Sequence, residues 1–412
     1  MTSKSEKSPA GGKTMRQKDS AGRKETIQEE EEGKKCDADS FEEKNKLFFV
    51  LFRVLGLVTL RRMGGHYQVS TLHFFVSYLA WTTSPFLGYI ASLAWLNIRG
   101  NGQHYPLGGL FIIFILCFMP AVQTYSLKYI NQSLPAALDH IDTLVHLQPG
   151  FKTPLTVFEG KTCEVIKKKI ENAKMKTLQE RLFQWLPLTM VVISGGGICV
   201  SLSVKMMKNV DVSTVINGLP LLIGIVFFQC LPILSTFFIA AFLKWLTRVY
   251  SQLAKHCKLT LATWTPSQAL NSRHYLEQLQ ELFVKMNVGF LQFTVSTNII
   301  SISASSILCW WSIIIENNII YVGPLVGNVV CLVVVSEAAA NLVIAQEEVV
   351  SVVQQEMRKQ RAARKNHEEL LLFRDILLES TPQVVTLGGY KVNRHLLANV
   401  LGFSVSYAYF TY

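Results

Sequence analysis

The sequence predicts an all-α membrane protein of seven transmembrane helices, with its amino terminus in the cytoplasm and its carboxyl terminus outside. Three observations carry this expectation. Half of the 412 residues are hydrophobic and 17% are charged, with a mean hydropathy of +0.27, which is too apolar for a soluble domain of this size. The apolar residues are gathered into runs of roughly twenty or more, each long enough to cross about 30 Å of hydrocarbon at 1.5 Å per residue. Finally, 37 of the 40 Lys and Arg residues fall in alternate loops, the asymmetry that marks cytoplasmic loops.

The elements follow in order. Residues 1–46 are charged and poor in large apolar side chains, so they cannot bury a core, and they lack the apolar centre of a signal peptide. They are expected to form a disordered cytoplasmic tail, with a seven-helix domain covering 47–412. Residues 47–60, LFFVLFRVLGLVTL, are too short to span and carry Arg53, which reads as a helix lying in the interface. The first span, 71–96, contains no Asp, Glu, Lys or Arg and places Trp95 where an aromatic belt would lie. The second is expected at 106–127.

A polar segment containing Lys167, Lys168 and Lys169 precedes the third span, 182–204, whose Gly195, Gly196 and Gly197 permit close helix approach or a kink. The fourth span, 212–243, stays uncharged for about 48 Å of helix and is read as projecting into the cytoplasm. Residues 244–286 place Tyr275, Leu276, Leu279, Leu282 and Phe283 at helical spacing, the mark of an amphipathic helix outside the membrane. The fifth span covers 287–315 and a turn at Glu316, Asn317 and Asn318 leads to the sixth, 319–346. The sequence then continues as charged helix, and the seventh span is 396–412.

Charge and cysteine content exclude two classes. A net charge of +11 would suit nucleic acid, but the cations sit between apolar runs without a basic and aromatic groove, so anionic lipid is the expected counter-charge. Of eight cysteines, Cys117, Cys199, Cys230, Cys309 and Cys331 lie within apolar runs, where they pack as small hydrophobes and no disulfide is expected. The sequon Asn131-Gln132-Ser133 falls on the cytoplasmic side and should be unused.

Local chemistry is sparse. His140 and His146 are six residues apart and do not share adjacent turns of one helix face. No Walker loop, HExxH motif or nucleophile elbow occurs. Neither an enzyme centre nor a bound metal or cofactor is therefore expected. Glu337 is the one carboxylate well inside an apolar run, about 27 Å along the helix from residue 319, where an ion-path role and an inter-helix bond both remain open. Tyr89, Ser92, Trp95, Trp310, Trp311, Tyr321 and Asn328 gather at the outer ends of the spans. Rings that stack on a small molecule and polar groups that orient it make these seven the candidate ligand-binding set.

The carboxyl-terminal residues Gly402, Phe403, Ser404, Val405, Ser406, Tyr407, Ala408, Tyr409, Phe410, Thr411 and Tyr412 resemble the last helix of the insect gustatory receptors. That family ends in Thr-Tyr, five mostly apolar residues and Gln-Phe. Here Ser406 and Tyr407 match the pair and the chain stops where Gln-Phe should begin, or else Thr411 and Tyr412 are the pair. The interfacial stretch, long fourth span, charged helix after the sixth span and NRHLLANVLGF agree with the resemblance, which covers 47–412. It implies a ligand-gated, non-selective cation channel opened by a small-molecule tastant in the plasma membrane of sensory neurons. It also implies a homotetramer or heteromer with the seventh helices around a pore. On that model Leu401, Val405 and Tyr409 share one helix face and are the candidate pore or gate residues. A secondary transporter is disfavoured by the absence of internal repeats, and a seven-span receptor that does not conduct is the remaining alternative.

Overall fold

The computed structural model describes residues 45–46, 49–50, 53, 60–63, 66–70, 75, 79, 83, 135–136, 139, 185–196, 212–261, 266–314, 317, 319–360, 367–379 and 381–410. The chain divides into two units, Met1–Lys46 and Leu47–Tyr412, and all that follows concerns the second. The expected spans 71–96 and 106–127 lie outside the described residues, apart from helical Phe75, Leu79 and Thr83.

Of the interfacial stretch, Phe49 is helical and buried edge-on against Phe238, with ring centroids 5.9 Å apart. Arg61 and Arg62 lie in strand β1, Leu60–Met63, which pairs antiparallel with β2, His66–Val69, from Leu60 opposite Val69 to Met63 opposite His66. Asp139 accepts a hydrogen bond from the Tyr67 backbone N–H at 3.1 Å.

The remaining described elements are helices: α1 (Trp185–Gly196), α2 (Val212–Thr260), α3 (Pro266–Met286), α4 (Gln292–Ile314), α5 (Val322–Gln360), α6 (His367–Glu379) and α7 (His395–Phe410). Three helical segments among the described residues are long and apolar enough to cross a membrane: Leu231–Lys258, Gln292–Ile314 and Ile319–Lys359. The fourth helix does not stop where its uncharged run ends at 243. It continues to Thr260 because an apolar stripe persists beyond Lys244, and Leu246, Val249, Tyr250, Leu253, Ala254 and Cys257 stay buried. Its 49 residues measure about 73 Å, and the 39 of α5 about 58 Å, against about 30 Å of hydrocarbon.

Helix α3 opens on Pro266, whose fixed φ suits the first helical position. It buries Tyr275, Leu276, Leu279, Leu282 and Phe283 while Arg273–Glu277 and Lys285–Glu281 pair on its outer face. Between α3 and α4 the chain makes one π-helical turn, Asn287–Leu291, and Phe290 there meets Phe238 edge-on at 6.1 Å. The α4–α5 turn has Asn317 at φ 49°, a left-handed conformation that Asn tolerates, before the short 3-10 turn Ile319–Tyr321.

Helices α2 and α5 pack along each other, and α4 contacts both of them and α7. Polar side chains join these apolar helices. Ser235 donates to Asn298 Oδ1 at 3.0 Å and Asn298 Nδ2 donates to Thr236 at 3.2 Å, tying α2 to α4. Asn328 Nδ2 reaches Ser305 and Ser306 at 3.1 Å each, tying α5 to α4. Small residues bring α1 against α5: a Cβ on Gly323 would stand 3.3 Å from the Ile193 carbonyl oxygen, and one on Gly327 would collide with Ser194 Oγ. Cys257, Cys309 and Cys331 are free and buried.

Candidate functional site

Helix α7 has two faces. Leu396, Val400, Ser404 and Ala408, one turn apart, are buried, and Ala408 packs with Ala304 and Ile307 of α4. The Ser404 hydroxyl is bonded to the Val400 carbonyl at 2.7 Å, so this polar side chain is satisfied within its own helix. On the other face Phe403, Val405, Tyr409 and Phe410 are exposed, Tyr409 and Phe410 by 77% and 89%. Of the three candidate pore residues, Val405 and Tyr409 therefore stand on the unburied face, and Leu401 is half-buried beside them.

The base of α7 is held by a connector built from neutral hydrogen bonds. Val385 and Lys391 form an isolated antiparallel bridge. Around it the Thr386 N–H donates to the Tyr390 carbonyl and the Val392 N–H to the Val384 carbonyl, each at 2.9 Å. Gly389 closes this hairpin at φ 77°, a conformation that glycine adopts without steric cost. Asn393 Oδ1 then accepts from the His395 N–H at 3.0 Å, which satisfies a backbone donor at the start of α7.

Side chains of α3, the π-helical turn, α4 and α5 grip the end of α6 and this connector. Gln280 donates to the Ile376 carbonyl at 2.8 Å, Asn287 to that of Gln383 at 3.3 Å and Gln292 to that of Thr386 at 3.1 Å. Ser296 accepts from the Leu387 N–H at 2.8 Å, and Gln346 of α5 bonds the Leu377 carbonyl. Asn287 and Gln292 are five residues apart, a spacing that would diverge on an α-helix. The π-helical turn between them closes five residues per hydrogen-bonded turn and keeps both on the connector side.

Charge completes the base. Arg394 Nε lies 3.0 Å from Glu337 Oε1 and its terminal nitrogen 3.1 Å from Oε2, a two-pronged ion pair from the connector to α5. Glu337 thus joins α5 to the connector, with its side chain 45% exposed. A cleft of about 400 Å³ opens between α4, the hairpin and α7, lined by Ile299, Ile300, Leu387, Val400 and Phe403, with Tyr390 and Asn399 at its polar edge.

The ligand candidates divide. Tyr89, Ser92 and Trp95 lie outside the described residues. Trp310 packs at the α4–α7 cluster with Tyr407, and its indole N–H is buried without a hydrogen-bond partner. Trp311 and Tyr321 are half-buried near the same end of the bundle. Asn328 is buried and its amide nitrogen is engaged by Ser305 and Ser306. None of them lines the cleft beside the hairpin. Sequence reasoning missed the connector, although Gly388-Gly389 between Val384–Leu387 and Tyr390–Val392 is a turn signal.

No protein-family model matches the sequence, and no curated protein does. The structure is similar to that of the insect olfactory receptor OR5 from Machilis hrabei, with a TM-score of 0.59 and 10% identity over 89% of this chain and 96% of that one. The same receptor in complex with eugenol matches with a TM-score of 0.56 and 9% identity, over 90% and 97% of the respective chains. At this identity the likeness establishes a shared fold. The chain is a multi-pass membrane protein with the fold of an insect olfactory receptor.

Proposed function

We propose that the chain is a chemoreceptor of the gustatory kind, a ligand-gated non-selective cation channel opened by a small-molecule tastant. The observation that carries this reading is the fold shared with an insect olfactory receptor over nearly the full length of both chains. The resemblance of the last helix to gustatory receptors adds the taste assignment. In this reading seven helices cross the plasma membrane of a sensory neuron with the amino terminus inside. The α7 helices of a homotetramer, or of a heteromer with related receptors, surround the pore. The exposed Val405 and Tyr409 support that placement, because they stand on the face of α7 opposite its buried Leu396, Val400, Ser404 and Ala408.

The proposed ligand set is Tyr89, Ser92, Trp95, Trp310, Trp311, Tyr321 and Asn328, which the sequence pattern assigns to the outer ends of the spans. The unpartnered indole N–H of Trp310 suits a ligand that brings a hydrogen-bond acceptor. Eugenol in a related structure makes small, weakly polar aromatics reasonable probes beside sugars and bitter compounds. Binding opens the channel to the extent that the ligand prefers the open arrangement over the closed one. The absence of internal repeats counts against the transporter alternative.

The test is thiol accessibility along α7. Ligand-evoked whole-cell current should be blocked by a charged thiol reagent in Val405→Cys and Tyr409→Cys, and spared in Ser404→Cys and Ala408→Cys, whose positions are buried. Block absent from all four while current persists removes α7 from the conduction path, and block confined to the buried positions puts the opposite face of α7 on that path. Surface-expressed receptor that signals through a cytoplasmic partner without current would support the non-conducting alternative.

A further inference from the structure

We propose that Glu337 and Arg394 form a latch that holds the base of α7 against α5 in the resting arrangement of the molecule. This rests on the reading of α5 and α7 as membrane-crossing helices and deepens the proposed gating of α7. The geometry is specific: both guanidinium contacts, at 3.0 and 3.1 Å, go to the two oxygens of one carboxylate, the fork-on-fork arrangement that fixes orientation as well as distance. Its position in the chain is equally specific. Arg394 is the residue immediately before α7, so any displacement of that helix along or about its axis pulls on the pair.

Depth sharpens the argument. The 16 residues of α7 measure about 24 Å, and Glu337 lies about 22 Å along α5 from Val322. Helix α4 leads through the Asn317 turn into α5, so the α5 distance runs from the turn end of the bundle, and α7 meets the middle of α4 through Ala408, Ala304 and Ile307. The pair therefore lies within a hydrocarbon layer of about 30 Å, near its inner boundary. There the Arg394 and Glu337 side chains remain 58% and 45% exposed in the single chain. Charges at that depth face water or protein rather than lipid, so this side of the α5–α7 junction borders an aqueous or inter-subunit space.

The two grips on α7 also differ in kind. The hairpin is fixed to α4 by the short neutral contacts of Gln292 and Ser296, whereas the pair to α5 links ionised groups on long, flexible side chains. The second is the one suited to break and remake as α7 moves. An exposed ion pair shifts an equilibrium by only a few-fold and a fully buried one by a hundredfold or more. For a half-exposed pair an effect of about tenfold is expected between those limits.

The experiment compares ligand-free current, normalised to surface protein, in the full chain and in Glu337→Gln, Arg394→Gln, the double neutralisation, and the exchanged pair Glu337→Arg with Arg394→Glu. Each single change should raise ligand-free current about tenfold, the double should add nothing further, and the exchange should return it to within about twofold of the original. In parallel, backbone hydrogen exchange of residues 395–400 is measured on the purified chain and should accelerate in both single variants and recover in the exchanged pair. Single variants that change neither readout, or effects that multiply in the double variant, overturn the latch. Absence of current in every form, with the exchange pattern as expected, counts against the channel reading and leaves the latch standing.

Discussion

At the scale of single residues, the polar side chains within the apolar helices act as ties between helices. Asn298 is 4% exposed and uses both ends of its amide, accepting from Ser235 and donating to Thr236. Replacing it with Ala removes both bonds and takes the Asn298 donor from the buried Thr236 hydroxyl, while Ser235 retains its contact with the Leu231 carbonyl at 2.8 Å. Inter-helix hydrogen bonds in membranes average well below 2 kcal/mol, because the unfolded helices also find partners in the bilayer. Asn298→Ala should therefore lower stability by about 1 kcal/mol, read as a reduced midpoint of thermal unfolding in detergent. An unchanged midpoint would show that the α2–α4 contact is maintained by packing alone. Asn328 donates its amide nitrogen to both Ser305 and Ser306, so Asn328→Ala should show a comparable loss without ligand present.

At the scale of elements, the α6–α7 connector depends on a row of neutral side chains, and its order should fall when they are removed. Gln292→Leu combined with Ser296→Ala deletes the bonds to the Thr386 carbonyl and the Leu387 N–H. Each is worth about 1 kcal/mol net, so amide exchange in residues 384–392 should accelerate roughly tenfold or more while that of α2 stays unchanged. The small-residue contact offers a second prediction. Gly327→Leu places a branched side chain where a single Cβ already collides with buried Ser194, so α1 and α5 must separate. The expected loss is about 1–3 kcal/mol, with a matching drop in thermal midpoint. These elements also show what hydropathy reveals and what it hides. The fourth, fifth and sixth helices were legible because uncharged runs announce them, and α3 because Tyr275, Leu276, Leu279, Leu282 and Phe283 repeat at helical spacing. The continuation of α2 to Thr260 was hidden by Lys244 and Arg248, which end the uncharged run without ending the buried stripe. The π-helical turn and the Glu337–Arg394 pair depend on partners distant in sequence, which local periodicity does not record. Of α7 the sequence marked the shared face of Leu401, Val405 and Tyr409, but not the base that holds the helix in place.

At the scale of the whole molecule, the proposed orientation follows from charge, and it makes the most exposed of the predictions. The alternate loops that hold 37 of the 40 Lys and Arg residues include the segment leading into α3 and the connector before α7, and the α4–α5 turn carries none. Helices α2 and α5 exceed the hydrocarbon thickness, so their surplus length must emerge on one side. The basic residues at their ends, Lys258 in the last turn of α2 and Arg358 and Lys359 in that of α5, place both extensions with the connector on the positive side. The Asn317 turn then lies on the opposite side, with Trp310, Trp311 and Tyr321 beside it. A flexible insertion carrying an Asn-Gly-Ser acceptor in this turn should become glycosylated in cells, while the natural Asn131-Gln132-Ser133 acceptor stays unmodified, as read by the glycosidase-sensitive shift on a gel. Modification of Asn131 with the inserted acceptor untouched would reverse the molecule in the membrane. The aromatic end would then face the cytoplasm, and an external tastant would have to reach it from the other side. Because orientation follows from loop charge rather than from helix packing, the two outcomes separate the direction of the bundle from its architecture.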